Sequence, residues 1–123
     1  MFKIDNETMT IYLTRGNSAT IIFSAKDEEG DDFHPTAGDK LIFSAAAKVG
    51  MEPVLRIENV MASSEENFWA IKFRPEDTQD LNISKYAFDV DIEIYESDVM
   101  VDRDTIIGKT DTVSPTLVLW GDV

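Results

Sequence analysis

Residues 85–96 read KYAFDVDIEIYE, and this stretch decides the fold. Apolar residues fill every second position from 88 to 94, and acids fill the positions between them, at 89, 91 and 93. Successive side chains of a β-strand point to opposite faces. This period of two therefore predicts a half-buried strand with one buried, apolar face and one acidic face. Charged side chains ordinarily stay in water, so the acidic face needs no ligand to explain it.

Shorter strand-like runs recur along the rest of the chain, separated by turn residues and by a polar break at 62–67. They cover 9–14, 20–25, 41–47, 54–60 and 68–73, and the segment 99–120 has room for two more. Frequent turns and almost no helical periodicity predict antiparallel strands that form a two-sheet sandwich or a small barrel, and of these two we favour the sandwich. We therefore predict an all-β, immunoglobulin-like antiparallel β-sandwich of seven to eight strands. One short helical turn is expected near 75–81, where Pro75 suits a first helical position.

The composition predicts one soluble domain over residues 1–123, since a chain of this length can bury a core without covalent staples. The absence of cysteine excludes disulfides and thiolate chemistry. There are 24 acidic and 11 basic residues, a formal net charge of −13, and the basic residues are scattered. Such a surface repels phosphate backbones and anionic lipids, so neither nucleic acid nor a membrane is expected as a partner. No signal peptide or membrane-spanning run is recognisable.

Motifs for catalysis or metal binding are weak. The single histidine, His34, stands in a polar loop, and no G-x-S-x-G elbow accompanies it. Calcium could find oxygen ligands in the stretch 96–104, but a solvated turn is the better explanation of the same residues. The acids of this stretch are Glu96, Asp98, Asp102 and Asp104. We therefore expect no catalytic residue, no cofactor and no metal site, and we interpret the protein as non-enzymatic.

The end of the chain offers a candidate contact surface. Leu117, Val118, Leu119 and Trp120 form an apolar run without polar alternation. Such a strand is either buried on both faces or covered by another chain, and both alternatives stay open here. A last strand at a sheet edge could also pair with a neighbour, so Leu117, Leu119 and Trp120 are candidate interface residues. Trp69 lies in an alternating strand and is expected in the core.

Three stretches, taken in order, resemble a known family. They are LTRGNSATIIF at 13–23, AGDKLIFSA at 37–45 and FRPEDTQDLNISKYAFDVDIEI at 73–94. Their order is similar to that in the N-terminal immunoglobulin-like domain of upper-baseplate-type tail proteins from phages and prophages of Gram-positive bacteria. The resemblance implies a structural virion component, made in the bacterial cytoplasm. Its expected partners are other phage structural proteins or further copies of itself.

Two positions stand out against this family pattern. The family has a glycine before its tyrosine, whereas this chain reads LNISKY at 81–86, so Asn82 is expected to supply the positive φ angle. Nothing in the strand pattern requires an acid at Asp89, and we hypothesise that Asp89 bonds the backbone or Arg15 in a neighbouring strand.

The sequence thus predicts a non-enzymatic structural or assembly protein that works through protein–protein contacts. The alternative is an immunoglobulin-like binding module for a carbohydrate or cell-surface ligand, with or without calcium. Assembly predicts an exposed apolar patch rimmed by polar residues, whereas sugar binding predicts an exposed aromatic shelf. An enzyme would need a deep pocket with convergent titratable groups.

Overall fold

The computed structural model describes residues 2–5, 9–26, 29–61, 68–108, 110 and 113–121, so the expected polar break at 62–67 lies outside the described residues. Within these ranges the chain forms nine strands and one short helix. In order they are β1 (Phe2–Asp5), β2 (Thr10–Thr14), β3 (Ala19–Phe23), β4 (Lys40–Ala46), β5 (Leu55–Val60), β6 (Trp69–Phe73), α1 (Pro75–Thr78), β7 (Lys85–Glu96), β8 (Val99–Ile107) and β9 (Thr116–Trp120).

Strand β7 organises the larger of two sheets, whose order is β1-β2-β9-β7-β4-β5. One edge of β7 pairs with β4. The other edge is shared by two strands, because the start of β7 pairs with β9 and the part from Val90 onward pairs with β8. The smaller sheet consists of β3 and β6. A strand of twelve residues is long enough to hold two neighbours in succession, which is why the stretch 85–96 decides the fold.

The core lies between the two sheets and is built from the apolar faces of their strands. Phe43 of β4 joins the two layers, since its ring stacks on Phe88 of β7 at 5.0 Å and meets the edge of Phe73 of β6 at 5.1 Å. Trp69 is buried, as predicted, and its indole N–H donates a hydrogen bond to the carbonyl oxygen of Phe33 at 2.8 Å. Each such aromatic pair contributes about 0.5–1.5 kcal/mol beyond the area it buries.

Helix α1 connects the two sheets and is fastened to the turn after β2. The buried Thr78 hydroxyl accepts a hydrogen bond from the Gly16 N–H at 2.9 Å. The guanidinium of Arg15 donates to the Leu81 carbonyl oxygen at 3.3 Å. Gly16 has φ +82°, a conformation that strains residues with a Cβ atom. Two of the stretches that carry the family resemblance therefore contact each other, and a structural need explains them.

The predicted all-β sandwich and the helical turn are confirmed, with two differences in detail. The structure has nine strands where seven to eight were predicted, and the first, β1, was missed because its four residues are too few to show an alternating pattern. Strands β2 and β9 pair in parallel, while the other strand pairs of the described chain are antiparallel.

The expected positive φ at Asn82 is wrong, since the described non-glycine residues with positive φ are Met9, Ser97 and Asp98. Instead, the Asn82 carbonyl oxygen accepts a hydrogen bond from the Tyr86 hydroxyl at 2.6 Å.

Candidate functional site

The C-terminal strand lies inside the sheet and not at its edge. Strand β9 has β2 on one side and β7 on the other, so its backbone groups are paired on both edges. Leu117 and Leu119 are buried in the core. This corrects the expectation of a contact surface at these two residues: of the two alternatives, burial inside the chain applies, because the parallel pairing with β2 covers the strand.

Trp120 is the one candidate of this group that reaches the surface. Its side chain is 39% exposed, and its ring meets the Tyr12 ring edge-on, with 5.5 Å between centroids and 68° between planes. Rings at this angle form no common flat surface on which a sugar ring could stack. A partner contact at Trp120 stays a prediction.

The acidic face of β7 reaches the solvent, as its alternation predicts, and two of its three acids are paired with neighbouring side chains. Asp91 accepts hydrogen bonds from the Arg103 guanidinium and from the Thr105 hydroxyl of β8, both at 2.7 Å. The carboxylate of Asp91 raises the pKa of Arg103 through this hydrogen bond. Glu93 accepts a hydrogen bond from the Tyr95 hydroxyl at 2.9 Å. Exposed pairs of this kind contribute about 0–1 kcal/mol each, so they order the surface more than they stabilise the fold.

Asp89 differs from its neighbours on this face. Arg15 does not reach it, because the Arg15 side chain is engaged with Leu81 beside helix α1. Among the residues that the structure describes, none donates a hydrogen bond to the Asp89 carboxylate. The pKa of Asp89 is raised, first by partial loss of hydration and then by the charge of Asp91, while Arg103 acts in the opposite direction. The hypothesis of an Asp89–Arg15 or Asp89–backbone bond is therefore wrong.

A cleft of about 310 Å³ opens beside Asp89 on the outer face of the larger sheet. Its floor carries small side chains on three neighbouring strand positions, Ser44, Ala46 and Ala87. The loop 47–54 forms the rim, where Val49 and Met51 are both more than half exposed. The volume is at the small end of the range for ligand pockets, about 300–1,000 Å³.

The β7–β8 hairpin ends in an exposed apolar tip. Ser97 and Asp98 have φ angles of 50° and 67°, the pair of positive values that a two-residue type I′ turn requires. The three residues after the turn are Val99, Met100 and Val101, which are 63%, 48% and 51% exposed. We call residues 99–101 the hairpin tip. Within the described ranges β8 pairs only with β7, so the other edge of β8 is open along the tip.

The acids considered for calcium do not converge. Glu96 and Asp98 lie at the turn, whereas Asp102 and Asp104 lie opposite Ile94 and Ile92 further down the hairpin. Within the described part of the chain, no group of three or more His, Asp or Glu side chains is placed to hold a metal ion. His34 is exposed in its loop.

The comparisons with known proteins give no relative. No protein-family model, no curated protein and no solved structure matches the chain significantly. A search of the described residues for a helix long and apolar enough to cross a membrane found none. The resemblance to baseplate proteins stays a prediction.

Proposed function

We propose that this protein is a non-enzymatic assembly module that binds another protein through the hairpin tip. The observation that carries the proposal is the run of three consecutive apolar residues, 48–63% exposed, on a strand edge left open in the described structure. Because successive side chains of a strand point to opposite faces, the hairpin tip offers apolar surface on both faces of the hairpin end. A partner that encloses this end would cover all three side chains, and exposed apolar surface rimmed by polar residues is typical of contact surfaces.

The hairpin tip is supported by a rigid base, which favours a binding role. The buried Asp39 carboxylate accepts a hydrogen bond from the Tyr95 N–H of β7 at 3.0 Å and another from the Thr36 N–H at 2.9 Å. These bonds fasten the hairpin to the loop before β4. A surface held in one conformation loses little conformational entropy when a partner binds.

The charges around the hairpin tip indicate what the partner offers. Glu96, Asp98 and Asp102 rim the tip, and the formal net charge of the chain is −13. Two copies would bring like charges together, whereas an apolar pocket rimmed by Lys or Arg would be complementary. The partner we propose is therefore a different protein with a basic rim.

Charged residues in the middle of β8 disfavour backbone pairing of its open edge with strands of other chains. Asp102, Arg103 and Asp104 place charges along the open edge, and the pairing with β7 shifts register between Ile94 and Tyr95. Charges and bulges are the usual means by which edge strands avoid aggregation. The contact we propose is thus confined to the hairpin tip.

The biological context of the proposal comes from the sequence resemblance: a phage or prophage tail or baseplate, with the protein made in the bacterial cytoplasm and incorporated into the virion. The alternative of a carbohydrate-binding module has less support, because the exposed Trp120 ring meets the half-buried Tyr12 ring edge-on and the pair forms no flat surface. Nucleic acid and membranes are not proposed as partners of so acidic a chain.

A photo-cross-linking experiment tests the proposal. A photoreactive amino acid replaces Met100 in the full chain, which is expressed and irradiated in its native host. Ile22 provides the matched control, since it is 58% exposed but lies on β3, in the smaller sheet. We expect one discrete adduct from position 100 and none from position 22. Equal labelling from both positions, or no adduct from position 100, would overturn the proposal.

A further inference from the structure

A second cleft lies beside the hairpin tip, at the base of the β7–β8 turn. It has a volume of about 380 Å³ and opens between the loop 36–39, the end of β5 and the turn. Val60, Tyr95 and Asp98 belong to its lining, and Tyr95 lies directly opposite Met100 of the hairpin tip. We call this cleft the Tyr95 cleft. A partner that encloses the hairpin tip meets the Tyr95 cleft next.

Hydrogen bonds hold the walls of the Tyr95 cleft together. The Asp39 carboxylate accepts hydrogen bonds from the Tyr95 N–H and from the Thr36 hydroxyl, both at 3.0 Å, and so joins β7 to the loop 36–39. The Gly38 N–H donates to the Met61 carbonyl oxygen at 2.9 Å, which joins this loop to the end of β5. A cleft whose walls are fixed before a partner arrives loses little conformational entropy on binding.

The charged groups at the floor of the Tyr95 cleft are paired with each other. The Lys40 ammonium lies 2.9 Å from the Glu58 carboxylate and 4.9 Å from the centroid of the Tyr95 ring. The Tyr95 hydroxyl donates a hydrogen bond to Glu93 at 2.9 Å. A charged occupant would lose hydration without finding an unpaired group on this floor. What the floor offers is apolar surface, on the half-buried Tyr95 ring and on Val60, which is 51% exposed.

The remaining features of the cleft exclude other occupants. The lining holds a single carboxylate, that of Asp98, whereas calcium takes six to eight oxygen ligands. Asp98 is exposed at the turn and belongs to the acidic rim of the hairpin tip. A second copy of the chain would bring one acidic rim against another, whereas the basic rim proposed for the partner would face Asp98.

We propose that the Tyr95 cleft takes an apolar side chain of the partner protein that binds the hairpin tip. The inference rests on the proposed function, because the cleft and the hairpin tip are continuous at Tyr95 and Met100. It adds Val60 and Tyr95 to the contact residues. Ala37, which is exposed at the edge of the cleft, leaves room for the incoming side chain.

Photo-cross-linking from position 60 is the first test, in the full chain expressed in its native host. Val54 provides the matched control, because it is 50% exposed and lies six residues before Val60, about 20 Å away along β5. We expect a discrete adduct from position 60 that contains the same protein as the adduct from position 100, and none from position 54. No adduct from position 60, a different protein in it, or equal labelling from position 54 would overturn the inference.

Two alanine variants test whether the partner enters the cleft or only passes it. Ala37→Leu puts a larger side chain into the cleft, whereas Ala47→Leu, the matched control, changes an exposed alanine at the other end of β4. Titration calorimetry uses the purified protein cross-linked from position 60. Its affinity should fall about tenfold or more for Ala37→Leu and stay within about twofold for Ala47→Leu. Amide exchange at Tyr95 should be the same in both variants, which shows that the cleft walls are intact. Equal affinities of the two variants would overturn the inference.

The two cross-linking positions separate failure of the cleft from failure of the proposed function. An adduct from position 100 without one from position 60 would leave the contact at the hairpin tip standing and overturn the inference. An adduct from position 60 alone, with an affinity lowered by Ala37→Leu, would support the occupied cleft and refute the contact at the hairpin tip. The absence of adducts from both positions would overturn both proposals.

Discussion

Replacement of Thr78 by valine tests the link between helix α1 and the turn after β2. Valine has nearly the shape of threonine, so the packing of this fully buried side chain is preserved. What disappears is the acceptor for the Gly16 N–H, now held at 2.9 Å. A partly buried donor left without a partner costs about 1–3 kcal/mol, and the more apolar side chain offsets part of that cost. We expect a net loss of about 1–2 kcal/mol in the free energy of unfolding.

Urea denaturation at neutral pH measures this loss. For a domain of this size the slope against urea is about 1–3 kcal/mol per M, so the midpoint should fall by roughly 1 M while the slope stays unchanged. Thr20→Val is the matched control, because Thr20 is exposed on β3 and should shift the midpoint by less than about 0.3 M. A Thr78→Val midpoint indistinguishable from that of the unaltered chain would refute the role given to this hydrogen bond.

Three further predictions concern the core, the cleft and the base of the hairpin. Phe43→Ala should cost about 3–5 kcal/mol in calorimetric unfolding, because it removes the ring that joins the sheets; a loss below 1 kcal/mol would contradict the described core. Asp89→Asn should raise Tm slightly at pH 7, by no more than about 2 °C, since ionised Asp89 is partly dehydrated and faces Asp91. Because the pKa of Asp89 is raised in the folded protein, the fold loses stability as the pH rises through 3.8, the ordinary pKa, and Asp89 ionises. The Tm difference between Asp89→Asn and the unaltered chain should therefore vanish well below pH 3.8. A lower Tm for the variant at pH 7 would contradict this prediction. Asp39→Ala should speed amide exchange at Tyr95 without changing the outward-facing tip, because it removes the carboxylate that accepts the Tyr95 N–H; unchanged exchange would show that Asp39 does not fasten the hairpin.

The parts of the fold that sequence reasoning predicted are those in which a pattern reports directly on local geometry. The alternation in 85–96 reflects the pleat of a single strand, and the ESD sequence at 96–98 marks a turn whichever strands surround it. Helix α1 begins at Pro75 for an equally local reason, the fixed φ of proline. Such signals need no knowledge of the neighbours.

The position of β9 could not be predicted because it depends on distant pairing. The sequence of an apolar strand is the same whether the strand lies at a sheet edge covered by a partner or between two strands of its own chain. Only the parallel pairing with β2, more than a hundred residues earlier, decides between them and buries Leu117 and Leu119. The same limit explains why Leu117 and Leu119 were expected as candidates for a contact surface.

The hairpin tip and the cleft were missed for related reasons. The letters VMV at 99–101 look like the start of an ordinary strand, and their exposure follows from an edge that the rest of the described chain leaves open. The polar turn before them and the charged DRD after them were the available signal. Asp89 was recognised as unusual in the sequence. It lacks a partner because Arg103 binds Asp91 instead, and the register of β7 and β8 determines which of the two acids Arg103 reaches.

An affinity measurement tests whether the hairpin tip binds a partner protein, as we propose. Titration calorimetry should compare the unaltered chain with V99T/M100T/V101T, using the protein cross-linked from position 100. Threonine keeps the strand propensity while removing apolar surface from three side chains. If each side chain contributes about 1 kcal/mol, the affinity of the triple variant should be about 100-fold lower. Affinities of the two proteins within twofold of each other would contradict it.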